Sequence, residues 1–366
     1  MAETIPHWLY KQAYLSPSHP AIELENGDVI TFKQLHEAST TFARKLSTLG
    51  IEKGDHIGVF STNQVSMIVA IHALSYLGAV SVLLNIRLTK PELDYQIKDG
   101  DVKLILVSDD LETHAKLMQF AVSTISFSEV STLAEKDISL RTEISLQDPY
   151  SIMYTSGTTG FPKGVVHTFG NHYWSAMGSA LNLGLHQNDK WLSVLPMFHI
   201  GGLSIYIRSV IYGMPVYLLE KFDEAAFQKA VMEKGVTIAS VVTVMVQRLL
   251  KYLENEKYPD TFRCMLLGGG AAPKSLLEKA KAHNIPVFQS YGMTETASQI
   301  VTLSPDDALK QFGSSGKPLF PAQLKIVNPA ADGIGEIFVK GPMVTRAYYN
   351  KPEANQEAFH GDWLAT

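Results

Sequence analysis

Cysteine is nearly missing from this chain: Cys264 stands alone among 366 residues. One thiol excludes a disulfide framework and any zinc site built on several cysteines, and it agrees with a reducing, cytoplasmic setting. Charge is also scarce, at 18% of residues, where an average soluble domain carries about 25%. Neither sign dominates, since 31 Lys and Arg face 36 Asp and Glu for a formal net charge of -5. Without a basic run to neutralise phosphates, the chain is a poor nucleic-acid binder. The N-terminus has no basic segment leading into an apolar one, so no secretory signal is read there. The longest apolar stretch, residues 67–84, reaches spanning length but carries His72, Ser75, Tyr76, Gly78 and Ser81. A membrane helix would be cleaner. The stretch reads better as a buried helix over Val65–Leu77, turned by Gly78 into a core strand over 79–84. No internal repeat, low-complexity tract, Ser-His-Asp set or Cys-His set is present.

What is there is apolar sequence: 46% of residues, enough for two or three packed units at this length. Over the first 110 residues, short apolar strands alternate with helical patterns. Asn26-Gly27 marks a turn between strands. Thr31 opens a helix with Gln34 three residues on, a capping box. Leu35, Ala38, Phe42, Leu46 and Leu49 trace one apolar face, and Gly50 ends it. Helices between fully apolar strands imply crossover units around a parallel sheet. Residues 109–150 are more polar and read as a peripheral segment. From residue 262 a strand, a Gly loop, a helix with Leu276, Leu277 and Ala280 on one face, and a strand over 287–289 make a βαβ unit. Between 313 and 342, nine of 30 residues are Gly or Pro. The short strands among them read as a small all-β unit. The expected fold is α/β: two packed αβα subdomains with mostly parallel sheets (1–185 and 186–305) and a small β-barrel-like subdomain (306–366).

Residues 154–164, Tyr-Thr-Ser-Gly-Thr-Thr-Gly-Phe-Pro-Lys-Gly, are the most informative segment. Gly157 and Gly160 let the backbone approach an anion closely, Thr155, Ser156, Thr158 and Thr159 add hydroxyl donors, and Lys163 supplies a point charge for the outer phosphates of a nucleotide. Gly164 follows Lys163 where a Walker A loop needs Ser or Thr. A second Gly-rich loop, Gly268, Gly269, Gly270, Ala271, Ala272 and Pro273, follows a strand and precedes a helix, where open α/β sheets bind nucleotides. Cys264, inside that apolar strand, reads as a core residue, since nothing nearby would depress its pKa.

These segments resemble the signatures of the adenylate-forming superfamily, which includes acyl-CoA synthetases, firefly-type luciferases and peptide-synthetase adenylation domains. Gln289, Ser290, Tyr291, Gly292, Met293, Thr294 and Glu295 resemble a further core motif, as do residues 335–337 and 363–366. The likeness covers nearly the whole chain. It implies a reaction in two halves: a carboxylate attacks ATP to give an acyl-adenylate and pyrophosphate, then coenzyme A displaces AMP. It implies that Lys163 and Thr294 hold phosphates, that Glu295 carries Mg²⁺, that Tyr291 and the Gly loop sandwich the adenine, and that His199, in Pro-Met-Phe-His-Ile-Gly-Gly, lies with Gly201 beside the substrate carboxylate. Partners are then a small carboxylic acid, ATP and CoA, with a homodimer as a further possibility from relatives.

Three longer segments (168–173, 179–184 and 289–303) resemble the branch of this superfamily whose acid is an aromatic dicarboxylate. Such a substrate needs an apolar slot and a second anion partner. Arg208 is the first candidate, with Ser298, Gln299 and Thr302 behind it. The competing expectations are another aryl- or fatty-acyl ligase and a non-catalytic nucleotide-binding module. In the superfamily, residues 363–366 are followed by a Gly-Asp whose Asp holds the ribose, and then by a mobile domain with an adenylation lysine. Neither stands in this sequence, so the resemblance implies the large N-terminal part of a longer enzyme, only weakly active alone.

Overall fold

In the computed structural model, residues 3–155 and 162–366 are described. A six-stranded sheet runs, in spatial order, Lys163–Thr168, Pro149–Thr155, Val80–Leu83, His56–Phe60, Val102–Val107 and Ser123–Ser126. All its pairings are parallel except that of Lys163–Thr168 with Pro149–Thr155. A nine-stranded sheet is parallel from Val287–Met293 through Cys264–Gly268, Ile238–Val242, Trp191–Ser193 and Val216–Leu218 to Pro20–Leu24, and antiparallel at both ends. The central strands are buried on both faces, which is why they read as unbroken apolar runs. Four antiparallel strands, Gln323–Val327, Glu336–Lys340, Trp363–Ala365 and Phe359–His360, form the small β unit. This is the expected mixed α/β class with mostly parallel sheets.

Local chemistry sets the elements. The helix Phe32–Leu46 starts on the capping box: the Thr31 hydroxyl accepts from the Gln34 N–H at 3.2 Å, and the Gln34 amide oxygen accepts from the Thr31 N–H at 2.9 Å. It buries Phe32, Leu35, Ser39, Phe42, Ala43 and Leu46. Ala38 and Leu49, expected on that face, are exposed. Ala38 lies about 90° round the helix from the centre of the buried stripe, and Leu49 sits in a 3₁₀ turn after the α-helix has ended. Val65–Leu77 is a buried helix closed by Gly78 at φ 77°, as read from the sequence. Among the described residues, no helix is long and apolar enough to cross a membrane.

Two expectations change. The polar stretch 109–150 supplies the sheet's edge strand Ser123–Ser126 and a capped helix, Phe127–Thr132. An edge strand half open to solvent needs no apolar run, so its sequence gave no signal. Sheet membership also cuts across the division expected at 185, because Pro20–Leu24 and Val29–Thr31 complete the nine-stranded sheet. Strand pairing joins segments distant in sequence, which local patterns do not report.

Candidate active site

Thr155 and Lys163 face each other across an antiparallel pair of strands. Ser156, Gly157, Thr158, Thr159 and Gly160 lie outside the described residues. The return strand is flanked on its other side by residues 345–349: the Tyr349 N–H donates to the Gly164 carbonyl at 2.8 Å, and the Thr345 hydroxyl to the Val166 carbonyl at 2.5 Å. This segment brings Tyr348 to Lys163, whose ammonium stands 4.9 Å from the ring centroid. The Tyr348 hydroxyl donates to Glu295 Oε1 at 2.9 Å, and the Thr345 N–H to the Glu295 carbonyl at 2.7 Å. Lys163 and Glu295, 132 residues apart in the chain, thus meet around one tyrosine. Burial, then the Glu295 carboxylate, pushes the Tyr348 hydroxyl toward its protonated, donating form.

Beside them, a pocket of about 310 Å³ opens at the carboxyl ends of the nine-stranded sheet. His199, Gly201, Gly268, Gly269, Ser290, Gly292, Met293, Thr294, Ser298 and Gln299 line it, with Leu195, Ile200, Val241, Val242 and Leu266 as apolar wall. Gly292 is needed there: a Cβ would stand 2.2 Å from the Ser298 carbonyl oxygen. The helix Ile200–Tyr212 begins at the pocket with His199 as its N-cap and no side-chain cap, so its positive end faces the cavity and favours an anion. His199 is solvent-open at the rim, and its pKa is lowered by desolvation and then by the Arg87 charge. Gln299 is buried, with neither amide atom hydrogen-bonded among the described residues.

The remaining predicted residues are not in the lining. Gly270, Ala271 and Pro273 are exposed on the loop beyond it, and Ala272 is buried beneath. Gln289 lies deeper in its strand. Tyr291 packs against the small β unit, its hydroxyl 2.9 Å from that of Thr366. Thr302 is buried with its hydroxyl unpartnered. Arg208 is not among the residues lining this pocket; it is 2% exposed beside Trp191, with its guanidinium carbon 5.2 Å from that ring. Trp191 donates in turn to Ser240 of the pocket wall at 3.0 Å. Arg208 Nε and Nη2 have no hydrogen-bond partner among the described residues, and burial lowers its pKa. Cys264 is buried, its thiol pushed up to about 12 by burial, as a core residue should be.

Three supports escaped the sequence. The buried Asn63 donates to the Leu195 carbonyl and accepts from the Met197 N–H, both at 2.9 Å, holding the turn that carries His199. His167 Nε2 donates to the Thr294 carbonyl at 2.7 Å; its Nδ1 and His172 Nε2 meet the Ser151 hydroxyl at 3.4 and 3.2 Å. Burial lowers the pKa of His167 to about 4 and holds His172 well below its ordinary value, so both are neutral. Tyr348 is the third. None carries a local pattern; the only hint was polar residues within otherwise apolar stretches.

The residues fit a magnesium ion. Among the described residues, no group of three His, Cys, Asp or Glu forms a protein cage. Glu295 instead offers one buried carboxylate on the tyrosine that also meets Lys163, with Oε1 already hydrogen-bonded. A hard cation sharing its other positions with phosphate oxygens and water suits that donor set.

A family model described as AMP-binding enzyme matches residues 9–349. The chain is 58% identical over 372 residues to the 2-succinylbenzoate–CoA ligase of Oceanobacillus iheyensis, covering 100% of this chain and 76% of that protein. It superposes with a TM-score of 0.93, at 41% identity, on o-succinylbenzoate CoA synthetase of Bacillus subtilis in complex with its acyl-adenylate intermediate, covering 100% of this chain and 75% of that one. The Bacillus subtilis enzyme in complex with ATP and magnesium ion gives the same score and identity, with 100% and 76% covered.

Proposed function

The chain belongs to the AMP-binding enzyme family, and from that premise we propose that it activates 2-succinylbenzoate with ATP for transfer to coenzyme A, in menaquinone biosynthesis. The observation that carries the reading is the meeting of Lys163 and Glu295 around Tyr348 at the edge of a pocket lined by Thr294, His199 and Gln299. The use of ATP and coenzyme A supports a cytoplasmic reaction. Within the chain, residues 1–185 contribute the phosphate segment, 186–305 the adenine and acyl pocket, and 306–366 the flanking β unit.

In the first half-reaction a carboxylate oxygen of the acid attacks the α-phosphorus of ATP, and the bond to the pyrophosphate oxygen breaks. Two anions must be brought together, so the dominant requirement is positive potential in a fixed geometry. Lys163 supplies it at the outer phosphates, the start of the Ile200–Tyr212 helix at the carboxylate, and Thr294 a hydroxyl donor at the α-phosphate. Glu295 would hold a magnesium ion, which would supply charge neutralisation for the pyrophosphate leaving group. His199 at the rim hydrogen-bonds the reacting carboxylate. The second half-reaction forms the thioester carbon–sulfur bond and releases AMP, with no protein nucleophile. Ser298 and the unpaired amide of Gln299 receive the distal carboxylate, and Arg208 adds positive potential from beside Trp191.

Pyrophosphate release across a panel of carboxylic acids tests the reading. 2-Succinylbenzoate is expected to give the strongest signal, and Lys163→Ala to lower it by about a hundredfold. A fatty acid or plain benzoic acid giving signal while 2-succinylbenzoate gives none would sink the substrate assignment.

A further inference from the structure

Lys163 and Glu295 carry opposite charges at one site, yet among the described residues neither joins an ion pair. Were an ammonium and a carboxylate to meet directly, they would pair, and each would then be spent on the other. Tyr348 touches both. Its ring face holds the ammonium at 4.9 Å, a cation–π distance, and its hydroxyl holds Glu295 Oε1 at 2.9 Å. The ring itself is fixed. It is 6% exposed, its N–H donates to Asn355 Oδ1 at 2.7 Å, and its carbonyl accepts from Asn355 Nδ2 at 2.9 Å. It bridges to Val165 of the return strand. The following residues are tied down too, Tyr349 to Asp101 and Lys351 to Asp99.

We propose that Tyr348 is a positioning residue that keeps the Lys163 ammonium and the Glu295 carboxylate apart, so that both stay available to the nucleotide and its metal. The inference rests on the reading of Lys163 as a phosphate group and Glu295 as a metal group. The cation–π contact restrains Lys163 without neutralising it. The phenol occupies one carboxylate oxygen and leaves the other for a cation. In this arrangement the site is held open before ATP arrives, and binding does not first have to break an ion pair.

Calorimetric titration of the chain with ATP, once in EDTA and once with Mg²⁺, separates the two roles of the ring. Tyr348→Phe keeps the face and removes the hydroxyl; metal-free affinity should hold while the gain from Mg²⁺ falls about tenfold. Tyr348→Leu removes the face; Lys163 then pairs with Glu295 and metal-free affinity should fall about tenfold. Adding Glu295→Gln to the leucine variant should restore metal-free affinity to within about threefold, because the competing carboxylate is gone. A merely structural role predicts no such rescue. An undiminished Mg²⁺ gain in Tyr348→Phe, unchanged metal-free affinity in Tyr348→Leu, or failure of the rescue would overturn the proposal. Should the leucine variants not fold, by circular dichroism, the phenylalanine variant decides alone. If the unsubstituted chain bound no ATP in either condition, the nucleotide reading itself would fall, and the inference with it.

Discussion

Arg208 shows how much a single side chain can contain. The sequence placed it about two helical turns beyond His199, and the structure buries it completely beside Trp191 with two unpartnered nitrogens. An unpaired buried guanidinium costs several kcal/mol relative to an apolar side chain of similar size, so it is not retained for stability. Arg208→Met is therefore expected to leave the thermal midpoint unchanged or raised while raising KM for the acid about tenfold and leaving KM for ATP unmoved. Paired melting and kinetic measurements check this; a lower midpoint with unchanged kinetics would make Arg208 a structural residue. Lys163, Glu295, Thr294 and His199 could be singled out because each stands in a short segment that resembles a family motif. Tyr348 was not, because its role exists only between two motifs that the chain keeps 132 residues apart.

At the level of elements, the strongest sequence signals were those with a period or a cap. The capping box at Thr31, the glycine stop at Gly78 and the apolar strand Cys264–Gly268 all form where the pattern put them. The edge strand Ser123–Ser126 had no such pattern. The turn carrying His199 depends on Asn63, which comes from the loop after His56–Phe60 in the other large sheet. Asn63→Ala removes both hydrogen bonds and leaves the Leu195 carbonyl and Met197 N–H without partners, at about 1–3 kcal/mol. The expected result is a KM for the acid raised about tenfold, with a smaller change for ATP, since the turn lines the pocket proposed for the acid. Equal effects on both substrates would show that the turn serves the whole site.

For the whole molecule, buried histidines link stability to pH. His72 and His167 are both lowered to about 4, and His7 and His172 are held well below 6.5, in every case by burial first. A folded pKa below the unfolded one means the unfolded chain takes up protons first as pH falls. Their stabilisation is complete above about pH 6.5 and declines toward pH 4, by up to about 1.4 kcal/mol per pH unit for each histidine. Denaturant midpoints are expected to be flat from pH 7 to 8 and to drop steadily from pH 6.5 to 4.5; His167→Gln should shallow that slope. A flat profile to pH 4.5 would contradict the burial of these rings. By itself, the sequence determined the α/β class, the positions of most core elements and the family likeness, because each rests on residues close together in the chain. The tertiary structure alone decided which sheet the first strands join, that Arg208 is buried against Trp191, and that Asn63, His167 and Tyr348 hydrogen-bond Leu195 and Met197, Thr294, and Glu295. Those contacts bridge distant segments, and only packing brings their partners within hydrogen-bonding distance.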